Sequence, residues 1–251
     1  MTIQDYVSWA DFNDDTLRFS RAIGADMICL DVRAMHRLDP SLDLRDGRDS
    51  RPFFEAAREK VEDHGLTLFS VFMAGWDELA FGLPDRDEKL EAWCRMLRCL
   101  GEAGVRMALH PDDPPIPEPL GGVAQIVSTL EQYRRIFAAA PGDSNGMLFC
   151  QGCVTEMGVD VYETIREMGL RNKIVFVHFR NVRGALPSFQ EVFLDEGDVN
   201  MRRAMEVYRE VGFNGPFMMD HTPGIPGDEK SRAGHAYAVG YIRALIQTVY
   251  G

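Results

Sequence analysis

Seven short apolar runs recur along the chain, each followed by a helical pattern, and this alternation constrains the fold more than any other feature. The runs span residues 5–9, 26–30, 67–72, 105–109, 147–150, 174–178 and 216–220. Helical periodicity covers about 16–23, 52–64, 88–103, 123–139, 159–168, 201–211 and 234–249. Several helices end in "EDHG", "GEAG", "REMG" or "REVG", where glycine supplies the left-handed residue that closes a last turn. Continuously apolar strands alternating with helices predict a parallel sheet covered by helices. A nucleotide-binding open sheet would carry a glycine-rich phosphate loop after a strand, and no such motif is present. The expected fold is therefore an α/β barrel of the TIM (β/α) type, with seven strand–helix units where eight are usual. A chain of 251 residues with 45% hydrophobic content can bury one such core, so a single domain over 1–251 is expected.

Charge and cysteine usage narrow the partners. The formal charge is -12, with no local basic cluster, which disfavours nucleic acid and anionic membranes. No apolar run approaches the roughly 18 residues of a transmembrane helix, and the first residues are acidic rather than basic-then-apolar. A soluble, cytoplasmic protein is expected. Five cysteines, an odd number in a chain expected in the cytoplasm, do not suggest a disulfide framework, which leaves at least one thiol for ligation or nucleophilic chemistry. The three long polar connections follow the second, third and sixth runs. In a barrel they lie on the face where active sites are built.

The ends of the last four runs carry the chemistry. "MAL" leads into His110, "MLF" into Cys150, "IVFV" into His178 and "PFMM" into Asp220. A lone strand-end histidine is usually a satisfied polar residue, and a lone cysteine in an apolar run a small hydrophobe. Four such residues in the same phase of four consecutive units point instead to convergence at a barrel mouth. Two imidazoles, a thiolate and a carboxylate suit a divalent transition metal. Pro111 forbids the strand from continuing past His110. His221, beside Asp220, is placed to act as a general acid or base. Arg180 and Arg183, shortly after His178, and Asp112 in "HPDDPP" are candidates for substrate contact at the rim. Cys150 and Cys153 also form a CxxC pair, but a redox motif of that kind opens a helix early in a short domain, so the ligand reading ranks above it.

"ALHPDDPP", "NGMLFCQG", "FVHFRNV" and "MMDH" resemble the successive strand-end motifs of mannonate dehydratases, and "FGLPDRDEKLEAWCRMLRCLGEAGV" resembles the same family after its third strand. The likeness covers most of the chain from about Leu66. It implies a xylose-isomerase-like barrel and a lyase that removes water from a sugar acid. It also implies a metal, usually manganese, held by His110, Cys150, His178 and Asp220, with His221 in proton transfer. The thiolate by itself would favour zinc, and iron(II) or cobalt(II) also fit the donors. The chain departs from the family pattern by joining "GEAGV" directly to "RMALHPDDPP", without an additional strand and helical insertion. Where the resemblance implies a catalytic tyrosine this chain has His235, with Tyr237 two residues on assigned to core packing, and Phe189-Gln190-Glu191 stands where the family has a Phe-His-Glu. A metal-dependent sugar isomerase or epimerase, or a sugar-acid-binding barrel without activity, are the rival expectations. A shortened mouth would be completed by a second subunit, so a homodimer is expected.

Overall fold

The computed structural model describes every residue except Glu229. The chain divides into two compact units, Gln4–Met107 and Ala108–Gly251, the latter joined by residues 1–3. Among the described residues no helix is long and apolar enough to cross a membrane.

In the first unit the order is β1 (Ile3–Ser8), α1 (Asp14–Ile23), β2 (Met27–Asp31), α2 (Met35–Leu38), α3 (Arg51–Glu62), β3 (Thr67–Phe72), α4 (Asp77–Ala80) and α5 (Arg86–Glu102). β2 pairs in parallel with β1 on one side and β3 on the other. The first helix shows how sequence sets its limits. Asn13 accepts a hydrogen bond from Thr16 N at the start, and Gly24, at φ 97°, closes the end. Leu17, Ile28, Leu30, Phe54, Val61 and Leu68 bury the faces that α1, α3 and the strands share.

The second unit carries α6 (Leu130–Ala139), β4 (Met147–Cys150), α7 (Gln151–Glu156), α8 (Val161–Leu170), β5 (Ile174–His178), β6 (Asn181–Ala185), β7 (Ser188–Val192), α9 (Met201–Glu210), β8 (Phe217–Met218) and α10 (Arg232–Tyr250). β5 lies between β4 and β8, parallel to both. The register sets Cys150 beside His178 and His178 beside Met218. β6 and β7 form a separate antiparallel hairpin. Behind the strands, Phe149, Phe179, Tyr208, Phe213 and Phe217 pack edge-on or tilted, with ring centroids 5.2 to 6.2 Å apart.

Six of the seven expected strands form, and the differences have local causes. The run at 105–109 is reduced to single parallel bridges, Arg106 to Ser70 in the first unit and Leu109 to Met147 in the second. Its residues 106–110 are only half-buried or exposed, and Pro111 stops the pairing. The run at 216–220 pairs at Phe217–Met218 alone, because Asp220 takes a left-handed conformation, φ 69°. The helix expected from 123 begins at Leu130, where Thr129 and Gln132 form a reciprocal capping box, and a tight turn between Leu120 and Val123 precedes it. The hairpin β6–β7 occupies a connection expected to be irregular.

The aromatic cluster gives a direct stability test. Phe217→Ala should cost about 3–5 kcal/mol by chemical denaturation, as for other buried aromatic truncations. Leu170→Ala, at a residue 75% exposed, should change stability by less than about 0.5 kcal/mol.

Candidate metal centre

Three parallel backbones deliver the donors. Cys150 and His178 end adjacent strands in register, and Asp220 stands two residues beyond Met218, the partner of His178. His110 enters from the bridge at Leu109, where its Nδ1 lies 2.6 Å from the carbonyl oxygen of Pro111. One ligand atom from each of His110, Cys150, His178 and Asp220 lies within 4.8 Å of the others. The His110 and His178 rings are 5.1 Å apart, and Cys150 Sγ is 3.9 Å from Asp220 Oδ2. His178 is 2% exposed. Its Nδ1 lies 3.2 Å from Asp220 Oδ2 without the alignment of a hydrogen bond, and among the described residues neither ring nitrogen has a hydrogen-bond partner. A buried imidazole with no aligned hydrogen bond, set against a carboxylate and a thiol, is a donor set that fits a divalent cation.

Arg180 differs from its expected place at the rim. It is 1% exposed, two residues past the end of β5, and its donors are spent inside the protein. Nε lies 3.4 Å from Cys150 Sγ and 3.2 Å from Asp220 Oδ2. Nη2 reaches Cys153 Sγ at 3.2 Å, Glu156 Oε1 at 2.9 Å and Asp113 Oδ2 at 3.3 Å, while Nη1 bonds Glu191. Glycine at 152 is required by this approach, since a Cβ there would sit 2.4 Å from Arg180 Nε. Asp113, Cys153, Glu156 and Glu191 were not among the expected site residues. For two of them the spacing in "CQGCVTE" held a cue, because α7 turns Cys153 and Glu156 to the same side, three residues apart.

The other expected residues are distributed as follows. Asp112 accepts from Val127 N at 2.6 Å through Oδ2, which pins its loop and commits that oxygen. Arg183 is exposed on β6 and donates to Glu196 O, away from the donor group. His221 is 49% exposed, with Nε2 3.6 Å from Asp220 Oδ2 and 3.4 Å from Arg180 Nη1. His235 lies in the first turn of α10, half-buried, its N–H donating to Ser231 O. The preceding Gly234 packs on Thr222, the neighbour of His221, where an added Cβ would meet Oγ1 at 2.3 Å. Tyr237 is not core: it is 40% exposed, bonds Asp195 through its hydroxyl and packs on Phe193.

A family model for D-mannonate dehydratase (UxuA) matches residues 101–250. The chain belongs to this family. Mannonate dehydratase 2 of Halalkalibacterium halodurans is 37% identical over 151 residues, which are 59% of this chain and 42% of that relative, so the match spans less than two thirds of the relative's length. The crystal structure of mannonate dehydratase from Streptococcus suis superposes with a TM-score of 0.81 at 20% identity, covering 98% of this chain and 93% of that one. A xylose isomerase domain protein from Alicyclobacillus acidocaldarius superposes at 0.64 and 14% identity, with both chains fully covered. The fold is that of the xylose-isomerase-like barrels.

Burial and charge oppose each other throughout the centre. Burial works to raise the Cys150 thiol, but the Cys153 hydrogen bond, the Arg180 charge and the two histidines hold it well below the ordinary value. Burial likewise works to lower His178, and the Asp220 carboxylate with the Cys150 sulfur overcomes it, raising the imidazole to about 9. Burial lifts Glu156 to about 8 against the pull of Arg180. For a histidine raised on folding, stability is fully present below its unfolded value near 6.5 and is lost as pH rises through the folded one. Metal-free protein should therefore lose thermal stability between about pH 6.5 and 9. His178→Gln should flatten that slope in chelator-treated samples followed by thermal denaturation, and an unchanged slope would show that His178 does not carry it.

Proposed function

We propose that the chain is a metal-dependent hydro-lyase of the mannonate dehydratase kind, removing water from a sugar acid. The observation that carries this reading is the close grouping of His110, Cys150, His178 and Asp220, with His178 buried against the Asp220 carboxylate. These four residues would hold one divalent ion, manganese first among the candidates, with zinc, iron(II) and cobalt(II) as alternatives. When bound, such an ion supplies Lewis-acid charge for the substrate carboxylate and an adjacent hydroxyl, which acidifies the α-hydrogen. His221 is half-exposed beside the group and can exchange a proton with a bound substrate. His235 opens the helix that packs on the segment after His221, and takes the second proton-transfer role in place of the family's tyrosine. The same reading makes the protein a cytoplasmic homodimer whose substrate is a small anion.

Elemental analysis of protein purified without chelator should find about one divalent ion per chain, the stoichiometry of a four-ligand site, and Cys150→Ala should abolish it. Incubation with a panel of aldonic acids should yield a 2-keto-3-deoxy acid. Interconversion of sugars instead would assign an isomerase or epimerase, and binding without product a sugar-acid-binding barrel.

The roles of the two helix residues separate by kinetics. His235→Ala should lower kcat by roughly a hundredfold, the scale of a lost acid or base, with metal content intact. Tyr237→Phe should do little, since the hydroxyl bonds surface Asp195. Full turnover in His235→Ala with loss in Tyr237→Phe would reverse the assignment.

A further inference from the structure

We propose that Arg180 sets the metal preference of the centre by hydrogen-bonding the sulfur of Cys150; the inference rests on the four-residue ion site proposed above. Three observations place the guanidinium on that sulfur with little freedom to leave it. Nε lies 3.4 Å from Cys150 Sγ and 3.2 Å from Asp220 Oδ2, so one N–H faces two of the four donors. Glu156, fully buried, anchors Nη2 from the opposite side at 2.9 Å. Gly152 leaves room for the side chain to pass, as a Cβ there would overlap Arg180 Nε and Cζ at 2.4 and 2.7 Å.

The chemical consequence follows from what a thiolate does for different ions. A cysteine ligand ordinarily favours zinc over manganese, because sulfur donates strongly to the softer, later metal. A cationic hydrogen bond to that sulfur withdraws the density on which the zinc–sulfur bond depends. Bonds from imidazole and carboxylate to a harder ion depend on it less. Arg180 therefore narrows the advantage of zinc and lets a centre containing one cysteine accept a manganese-like ion. It acts through Cys150 and Asp220, which makes it a positioning residue rather than a catalytic one, and its full burial removes it from direct contact with substrate.

The test compares Mn2+ and Zn2+ dissociation constants, by competition with chromophoric chelators, in wild type, Arg180→Met and the double variant Arg180→Met/Glu156→Gln. The single variant strands the buried Glu156 carboxyl without its partner, so the double variant, which replaces that carboxyl and keeps its shape, carries the comparison if the single one does not fold. The preference for zinc over manganese should rise tenfold to a hundredfold, roughly the scale of a lost partner to a metal ligand. In the cobalt-loaded protein the sulfur-to-cobalt absorption band should move to lower energy, as expected for a more electron-rich sulfur and not for a merely loosened fold. In a Cys150→Asp background the same substitutions should leave the zinc-to-manganese ratio unchanged. An unchanged ratio and band in the double variant, with both metals still bound, overturns the inference and leaves the metal centre standing. Absence of both metals from wild type overturns the centre itself and the inference with it.

Discussion

A guanidinium taken wholly out of water must be met by partners on every side, and the second unit is built to meet Arg180. The residue is fixed two positions beyond β5, and each neighbouring element sends something to it. β4 supplies Cys150 at its end, and α7 follows without a linker, so that Cys153 and Glu156 reach the same guanidinium. The hairpin β6–β7 brings Glu191, and the segment after β8 brings Asp220. Removing one partner of such a buried set leaves an uncompensated charge, which costs several kcal/mol, so the arrangement resists piecemeal change. The same contacts that satisfy Arg180 also hold two of the four candidate ligands in place.

Parallel register does the remaining placement. Cys150, His178 and Met218 stand side by side across three strands, and side chains on a strand alternate between faces. Asp220 shares the phase of Met218, while its left-handed backbone turns the chain away from the sheet immediately after it. Aspartate takes that conformation more readily than branched residues, so the strand can end there at modest cost. His221 follows on the far side of that turn and stays half-exposed. A buried donor and an exposed imidazole can thus be consecutive residues with different environments.

Much of this was legible in the sequence, and what was not has physical reasons. Six of the seven apolar runs became strands because continuous burial on both faces leaves a strong local signal, as in "IVFVH" and "MLFC". The hairpin was missed because Pro187 and Gly184 read as loop residues, although Gly184, at φ 86°, lies within β6 opposite Phe189, where a Cβ would meet Ser188 O at 2.8 Å. Helix α7 is six residues long, below the length at which periodicity can be seen. The four strand-end residues that lie together in the structure stood out in the sequence because they share a phase. Asp113, Glu156 and Glu191 were not, because their phase has meaning only once Arg180 is known to be buried. An arginine two residues past a strand end reads as a surface clamp, and nothing local in "VHFRN" says otherwise. The matching cue was Gly152 in "CQGC", a small residue with no turn to justify it.

The inward use of Arg180 bears on how an anionic substrate is recognised. The chain carries a formal charge of -12, and the carboxylates of Asp113, Glu191 and Asp220 crowd the guanidinium, with Glu156 lifted to about 8 by its burial. Neither arginine that the sequence offered for a substrate carboxylate is free to take it, since Arg180 is buried and Arg183 is turned to the Glu196 carbonyl. A sugar acid approaching His221 would meet a surplus of negative charge, and in a partly buried mouth that repulsion is poorly screened. On the proposed reading, the positive charge that offsets it is the divalent ion among His110, Cys150, His178 and Asp220. Binding of the substrate and polarisation of its α-hydrogen then have one origin, and a change that weakens the ion site must weaken both.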